Sequence, residues 1–365
     1  MSDERAIRVA QWATGAVGGA AVRGVLEAPG LDLVGARVTS AGKDGRDVGE
    51  LLGLGPVGVL ATTDTDRLLA CEPEVVVYAP RTPDLEEVCA LLESGVDVVT
   101  TAFAFHPRRL PPAQRDRLHE ACATGRSTYH ASGLNPGGFS AAVPLALSGH
   151  VRRLEQVRVQ ERADWSVYES TEITFDQMRF GSPPAEVTLD AAPSLARTSD
   201  LFVQQAWLLG DSLHADLDEV VTEHEVAPAP CDVEVCGRVL EQGTTGGQRF
   251  RWVGRAGGRE RVVIEAIWTV GDVDAAWPTL QHGWTVTLEG EPSLQAHLIT
   301  LASFTHPREM VEHVRAASVA TAMHVVNAIP AVRAAPPGVV TAADLPVVRS
   351  LQGFGGYDDA IPSPP

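Results

Sequence analysis

Between residues 6 and 132 the chain alternates without a break between short β-branched or aliphatic runs and longer stretches of helical periodicity. No other feature restricts its fold as much. The pattern predicts strands at 7–12, 31–39, 57–61, 75–79 and 96–101, with a sixth at 127–131, and helices at 17–27, 64–70, 84–94 and 112–124. Asp84 ahead of Glu86 and Glu87 reads as a helix cap with an acidic first turn, and Gly95 and Gly125 stand where helices should stop. Strands that are apolar throughout are covered on both faces, and intervening helices make right-handed crossovers. The first part of the chain is therefore expected to be α/β, a parallel sheet wound on both sides.

After the Gly- and Pro-rich stretch 132–138 the character changes. Segments 151–160, 248–253, 261–270 and 283–289 alternate like half-exposed strands and are separated by turn sequences such as QGTTGGQ and GRAGGRE. Helices are expected at 201–209 and 308–328. The second part thus reads as an α+β domain around an open, mostly antiparallel sheet. The tail beyond Ala334 has several prolines and no periodicity, and is expected to wrap over a surface.

Acidic residues outnumber basic ones 47 to 29, a formal charge of −18. A field of that sign repels phosphate backbones and anionic lipid surfaces, so neither nucleic acid nor membrane is an expected partner. Apolar runs are far short of the ~18 residues that cross a bilayer, and the acidic start lacks a signal-peptide pattern. A cytoplasmic protein is expected. The five scattered cysteines never form CxxC and read as reduced thiols. The eleven histidines include no HExxH and no Cys/His cluster, so no metal site is expected. Lys43 is the one lysine in the chain.

The first strand runs straight into Ala13-Thr14-Gly15-Ala16-Val17-Gly18-Gly19, followed by a helix of small residues. In this context a glycine loop lets backbone amides approach a dinucleotide pyrophosphate at a helix N-terminus. Gly15 permits the close approach and Gly18 the packing of helix on strand, although Ala13 stands where the motif's first glycine would be. The plain alternative is a tight strand-to-helix turn. The end of the second strand has no acid for a ribose 2′-hydroxyl; Arg37, Ser40 and Lys43 instead offer donors and charge for a 2′-phosphate. NADP(H) is therefore expected in preference to NAD(H), which is not excluded.

The loop QWATGAVG (11–18), GRDVGEL (45–51), SGLNPGG (132–138) and NAIP (327–330) occur together and in this order. In this the chain resembles the dihydrodipicolinate reductase-like oxidoreductases, in the branch of 2,4-diaminopentanoate dehydrogenase and the native amine dehydrogenases. The resemblance implies an N-terminal Rossmann domain (1–137, rejoined by 318–365) and a substrate and dimerisation domain (138–317). It also implies a homodimer and an active site between the domains. On that likeness Gly15, Ala16, Val17 and Gly18 hold the pyrophosphate, Ala79, Pro80 and Arg81 run along the middle of the cofactor, and Asn135 and Pro136 lie beside the nicotinamide. Three departures bear on the reaction. The paired-histidine and lysine motif of the true dihydrodipicolinate reductases is missing. The segment after the fifth strand, TTAFAFHP (100–107), lacks the glutamate of the amine dehydrogenases. The strand after the NPG turn offers Glu161, Asp164, Trp165 and Tyr168.

Hydride transfer needs a positioned nicotinamide and a proton carrier. Glu161, Tyr168 and His106 are the candidate catalytic groups: a carboxylate desolvated toward neutrality, a phenol, and an imidazole at the ligand-binding edge of a parallel sheet. Each also reads plainly, as a salt-bridged acid, a packed aromatic and a loop histidine. Phe103, Phe105, Trp165, Trp277, Trp284 and His282, with Gln281, are candidates for lining an apolar substrate pocket, though a single aromatic is more often core. The leading reading is an NAD(P)H-dependent oxidoreductase acting on a C=O or C=N centre of a fairly apolar small molecule. The alternatives are an amine dehydrogenase with a relocated acid, and an NADP-binding regulatory protein with little turnover.

Overall fold

The structure, a computed structural model, describes residues 5–273 and 275–354. It divides into two units, Met1–Leu134 with Ser318–Pro365, and Asn135–Ala317. Residues 355–365, the end of the tail, lie outside the described residues.

In the first unit β1 (Ile7–Trp12), α1 (Ala16–Glu27), β2 (Leu31–Arg37), a short α2 (Val48–Leu51) and β3 (Ala61–Thr62) are followed by α3 (Thr65–Leu69) and β4 (Val75–Tyr78). Then come α4 (Leu85–Glu93), β5 (Asp97–Thr100), α5 (Pro112–Gly125) and β6 (Thr128–Ala131). Side-chain caps start three of these helices. Asp47, Asp64 and Asp84 each accept from two backbone N–H groups of the first turn, which satisfies donors that a helix leaves open.

The second unit holds α6 (Val143–Ser148), β7 (Arg153–Asp164), α7 (Pro193–Ser212), β8 (Glu219–Pro228), the hairpin β9 (Val233–Val235) and β10 (Arg238–Leu240), β11 (Thr245–Ala256) and β12 (Arg259–Thr269). It ends with β13 (Gly283–Glu291), β14 (Leu294–Leu298) and the start of α8 (Met310–Ala334); β15 (Gly338–Val340) follows in the first unit.

The first unit's sheet runs β15-β6-β5-β4-β1-β2-β3, with every pairing parallel. Val9, Val75, Val77 and Val99 on one face pack against Val22 and Val25 of α1 and Val325, Val326, Ile329 and Val332 of α8. This is the α/β parallel architecture read from the sequence. The second unit's sheet runs β14-β13-β7-β12-β11-β8 and is antiparallel except where β7 meets β12. Its core includes Trp252, which stacks on Phe202 with centroids 4.3 Å apart and donates from Nε1 to Ser199 Oγ at 2.7 Å.

Four local expectations are corrected. The strand expected at 57–61 shrinks to Ala61–Thr62, because the Asp47 carboxylate takes the N–H groups of Val57 and Gly58 and fixes that stretch as a loop. Gly125 does not stop α5 by its own conformation: Arg126 takes the left-handed cap at φ 53°, while a Cβ on Gly125 would lie 1.7 Å from Leu92 O. Close approach, not backbone freedom, demands that glycine. The tail does more than wrap a surface, since Gly338–Val340 adds an edge strand beside β6. The strand expected at 151–160 starts at Arg153 and runs on to Asp164, so Glu161 lies within β7.

Candidate active site

The turn after β1 is shaped by residues that tolerate only one arrangement. Ala13 sits at φ 71°, in the left-handed region. The buried Gln11 side chain holds it there by donating to the carbonyls of Trp12 (3.0 Å) and Ala13 (2.9 Å), and Ala13 N donates to Arg37 O at 2.8 Å. A Cβ on Gly18 would lie 2.1 Å from Ala13 O, so the helix can begin this close to the strand only with glycine there. A Cβ on Gly15 would meet no described atom within 4 Å, so that side of the turn is open. Helix α1 starts without a side-chain cap and without an acid in its first turn. Its leading N–H groups, those of Ala16, Val17 and Gly18, thus have no acceptor within the helix. This fits a pyrophosphate.

Around that turn Lys43 Nζ donates to Thr14 Oγ1 at 3.2 Å, tying the loop after β2 to the glycine loop, and Ser40 is exposed at the start of the same loop. The Arg37 guanidinium lies over the Trp12 ring, 4.9 Å from its centroid, and donates from Nη1 to Val38 O at 2.7 Å. Its Nε is buried with no hydrogen-bond partner among the described residues. After β4, Ala79 N donates to Trp12 O at 3.1 Å; Pro80 is half-buried and Arg81 exposed. His106 and Phe105, after β5, are buried. Phe103 joins an aromatic ladder across the strand ends, edge-on to Tyr78 and Tyr129, and its carbonyl accepts from the Tyr129 hydroxyl at 2.6 Å.

In the second unit a different set of groups converges. Asn135, Pro136 and Gly137 depart from helical geometry, with a cis Asn135–Pro136 bond and Gly137 at φ 130°. Asn135 Nδ2 donates to Glu161 Oε2 at 2.6 Å. Glu161 stands on β7 opposite Trp284 of β13 and Ala266 of β12, on the same face as the core residues Val157 and Val159. Burial against this apolar face pushes its carboxyl up to about 7, and the Asn135 amide offsets the push in part. The indoles of Trp268 and Trp284 also lie beside it and favour the anion. Yet the Nε1 atom of each is buried and closes no hydrogen bond among the described residues. The Phe139 ring meets Trp284 edge-on, centroids 5.2 Å apart.

Just beyond Glu161, Asp164 Oδ1 accepts from Ser166 N and Gly271 N and turns the chain back. Trp165 is thereby packed against Tyr168 (4.7 Å), Phe180 (5.6 Å) and Trp268 (5.9 Å). Burial raises the Tyr168 hydroxyl above its usual range. Asn135, Glu161, Trp165 and Tyr168 are thus linked through one aromatic wall. His106 is carried by the first unit. His282 and Gln281 are exposed on the turn before β13, and Trp277 is turned toward Gly247 and donates to Glu225 Oε2 at 3.0 Å.

Trp268 and Phe139 escaped the sequence reading. Trp268 ends an apolar strand and reads there as core; only the register that sets it two residues beyond Glu161's partner reveals its place. Two surface cavities, of about 280 and 510 Å³, lie elsewhere: the first at the opposite end of β7, near Leu154, the second beside Asn327. Among the described residues no group of three or more His, Cys, Asp or Glu side chains is placed to hold a metal, and no helix is long and apolar enough to cross a membrane.

No protein-family model matches the chain. It is 31% identical over 361 residues to an amine dehydrogenase of Streptomyces virginiae, covering 94% of this chain and 97% of that protein. The structure of an amine dehydrogenase from Mycobacterium smegmatis superposes with a TM-score of 0.72 at 24% identity, covering 94% and 97% of the two chains. GenD2 from gentamicin A biosynthesis, solved in complex with NAD, shares the fold at a TM-score of 0.50 and 17% identity, covering 93% and 90%. The glycine turn, the parallel sheet that carries it and a full-length relative lead to one conclusion: this chain belongs to the amine dehydrogenase family and is an NAD(P)-dependent oxidoreductase.

Proposed function

We propose that the chain is an amine dehydrogenase whose proton carrier is Glu161. The observation that carries this reading is the 2.6 Å hydrogen bond from Asn135 to a carboxylate raised to about 7 on an apolar face. It supports a relocated acid in place of the glutamate missing from 100–107, the alternative that the sequence offered within an oxidoreductase of C=O or C=N centres. In the balanced oxidation a primary amine, NAD(P)+ and water give a carbonyl compound, ammonia, NAD(P)H and one proton. The carbon loses hydride to the cofactor, and water oxygen replaces nitrogen on it.

A nicotinamide cofactor bound here would supply or take up the hydride, and the N–H groups around Ala16, Val17 and Gly18 would hold its pyrophosphate. Ionised Glu161 takes a proton from the substrate ammonium, freeing the nitrogen lone pair as the C–H bond is lost. Once it has released that proton to solvent, it takes another from the water that adds to the iminium carbon and returns it to the nitrogen, which leaves as ammonia. In the reductive direction the protonated acid returns those protons. A carboxyl near 7 holds both forms in appreciable amount at neutral pH, as an acid–base group must. Trp268 and Trp284 flank this half-buried carboxylate and, with Trp165 and Phe139 packed on them, offer an apolar wall to the substrate.

The cofactor is NADP(H) in preference to NAD(H), on the support of Arg37 and Lys43 and of an acid-free end to β2. The order of the four sequence motifs supports membership of the dihydrodipicolinate reductase-like branch.

A panel of primary amines and their matching alcohols, assayed with NADP+, tests the reaction. Turnover of an amine with release of ammonia supports it. Turnover of alcohols alone favours the carbonyl reading, for which the missing carboxylate at 100–107 speaks.

A further inference from the structure

Asn135 has a side-chain amide with two ends. Nδ2 is committed to Glu161 at 2.6 Å, and that acceptor fixes which way the amide faces. Oδ1 is buried and has no hydrogen-bond partner among the described residues. Proteins seldom leave a buried acceptor open, because it has lost water and gained nothing. Beside a carboxylate, a second unused acceptor has a plain chemical meaning: the pair suits a group that brings two donors on one atom. A carbonyl oxygen brings none and an alcohol brings one. The nitrogen of an iminium or amine derived from ammonia brings two or more.

We propose that Asn135 determines specificity at the reacting nitrogen, with Oδ1 accepting one N–H while Glu161 accepts another. The site therefore takes ammonia, and the primary amines formed from it, in preference to alkylamines and the secondary amines formed from them. This rests on the amine dehydrogenase reading and deepens it. Replacing one N–H of the iminium by N–CH3 leaves a single donor for two acceptors, and if the carboxylate takes it the buried Oδ1 stays desolvated and unpaired. A buried hydrogen bond to a neutral amide commonly changes affinity about five- to hundredfold, and the preference for ammonia over methylamine is expected in that range.

The test crosses nucleophile with side chain. For a carbonyl substrate that the enzyme aminates, kcat/KM is measured with ammonia and with methylamine, for wild type, Asn135→Leu and Asn135→Ala. The leucine keeps the volume, the alanine covers the case of a leucine variant that misfolds, and a thermal melt reports folding of each. Wild type should favour ammonia. Both variants should lose at least tenfold with ammonia and much less with methylamine, so that the ratio collapses toward one. A ratio that stays put while both rates fall together overturns the proposal: Asn135 would then act only through Glu161, or Oδ1 would be filled by a resident water bridging to an indole N–H. A wild type that reduces ketones to alcohols and accepts neither nucleophile overturns the amine reading as well, and is told apart by its product.

Discussion

The carbonyl oxygen of Ala13 lies 2.1 Å from where a Cβ on Gly18 would stand. The left-handed backbone of Ala13 and the missing side chain of Gly18 are two halves of one turn. Gly18→Ala should push strand and helix apart and raise the Kd for NADPH at least tenfold, measured by fluorescence titration. Ala13→Gly relieves an L residue at φ 71°. Left-handed backbone costs roughly 1–2 kcal/mol, against about 0.5–1 kcal/mol for the entropy of the added glycine. The net expectation is a thermal melt unchanged or slightly raised, with cofactor binding intact.

On the proposed NADP(H) reading, Arg37 and Lys43 are the residues that would carry the cofactor preference. Arg37→Ala should bring the affinities for NADPH and NADH, expected to lie several-fold apart in wild type, to within twofold of each other. Equal affinities in the wild-type protein would remove the basis of the preference.

The last strong tie between α8 and the first unit's sheet is ionic. Arg333 Nη1 meets the buried Asp97 at 2.7 Å and its Nη2 reaches Glu74 at 3.3 Å. Asp97 Oδ1 also accepts from Thr128 N at 2.6 Å. Burial already pushes the Asp97 carboxyl up, and Arg333 counters it. Arg333→Ala leaves that carboxylate buried without its counter-charge, a change worth about 2–4 kcal/mol for a partly exposed arginine. Urea denaturation should show the midpoint falling with little change in slope.

Glu161 also writes a signature into stability. Its pKa is about 7 in the folded protein, above the ordinary 4.5. The unfolded chain therefore gives up this proton first as pH rises, and stability falls between about pH 4.5 and 7 and is level above. Glu161→Gln abolishes that fall. Relative to wild type the variant should gain about 1–3 kcal/mol on going from pH 4.5 to 8. Identical pH profiles of the melting temperature would mean that the carboxylate is not desolvated.

The parallel sheet was legible because its strands are short, apolar on both faces and punctuated by capped helices; β1 was read to the residue. What failed was set by side chains acting at a distance, as when Asp47 converts 57–61 into a loop, or by neighbours remote in sequence, as when β6 recruits Gly338–Val340. The antiparallel unit was read in outline, but β8 breaks the alternation with its polar residues and β14, at five residues, is too short to announce itself. Of the site, the glycine turn and Glu161 could be singled out because residue type and position carry chemistry. Trp268 could not, because only the pairing of β7 with β12 distinguishes it from any core tryptophan.

On the amine dehydrogenase reading Glu161 carries the proton, and the decisive measurement is the pH dependence of kcat for amine oxidation, wild type against Glu161→Gln. Wild-type kcat should rise with pH through an apparent pKa near the site's value of about 7, as the carboxylate ionises to accept the proton. The variant should lose that limb and about 10²- to 10⁴-fold in rate. A variant within tenfold of wild type that keeps the same limb would contradict the account.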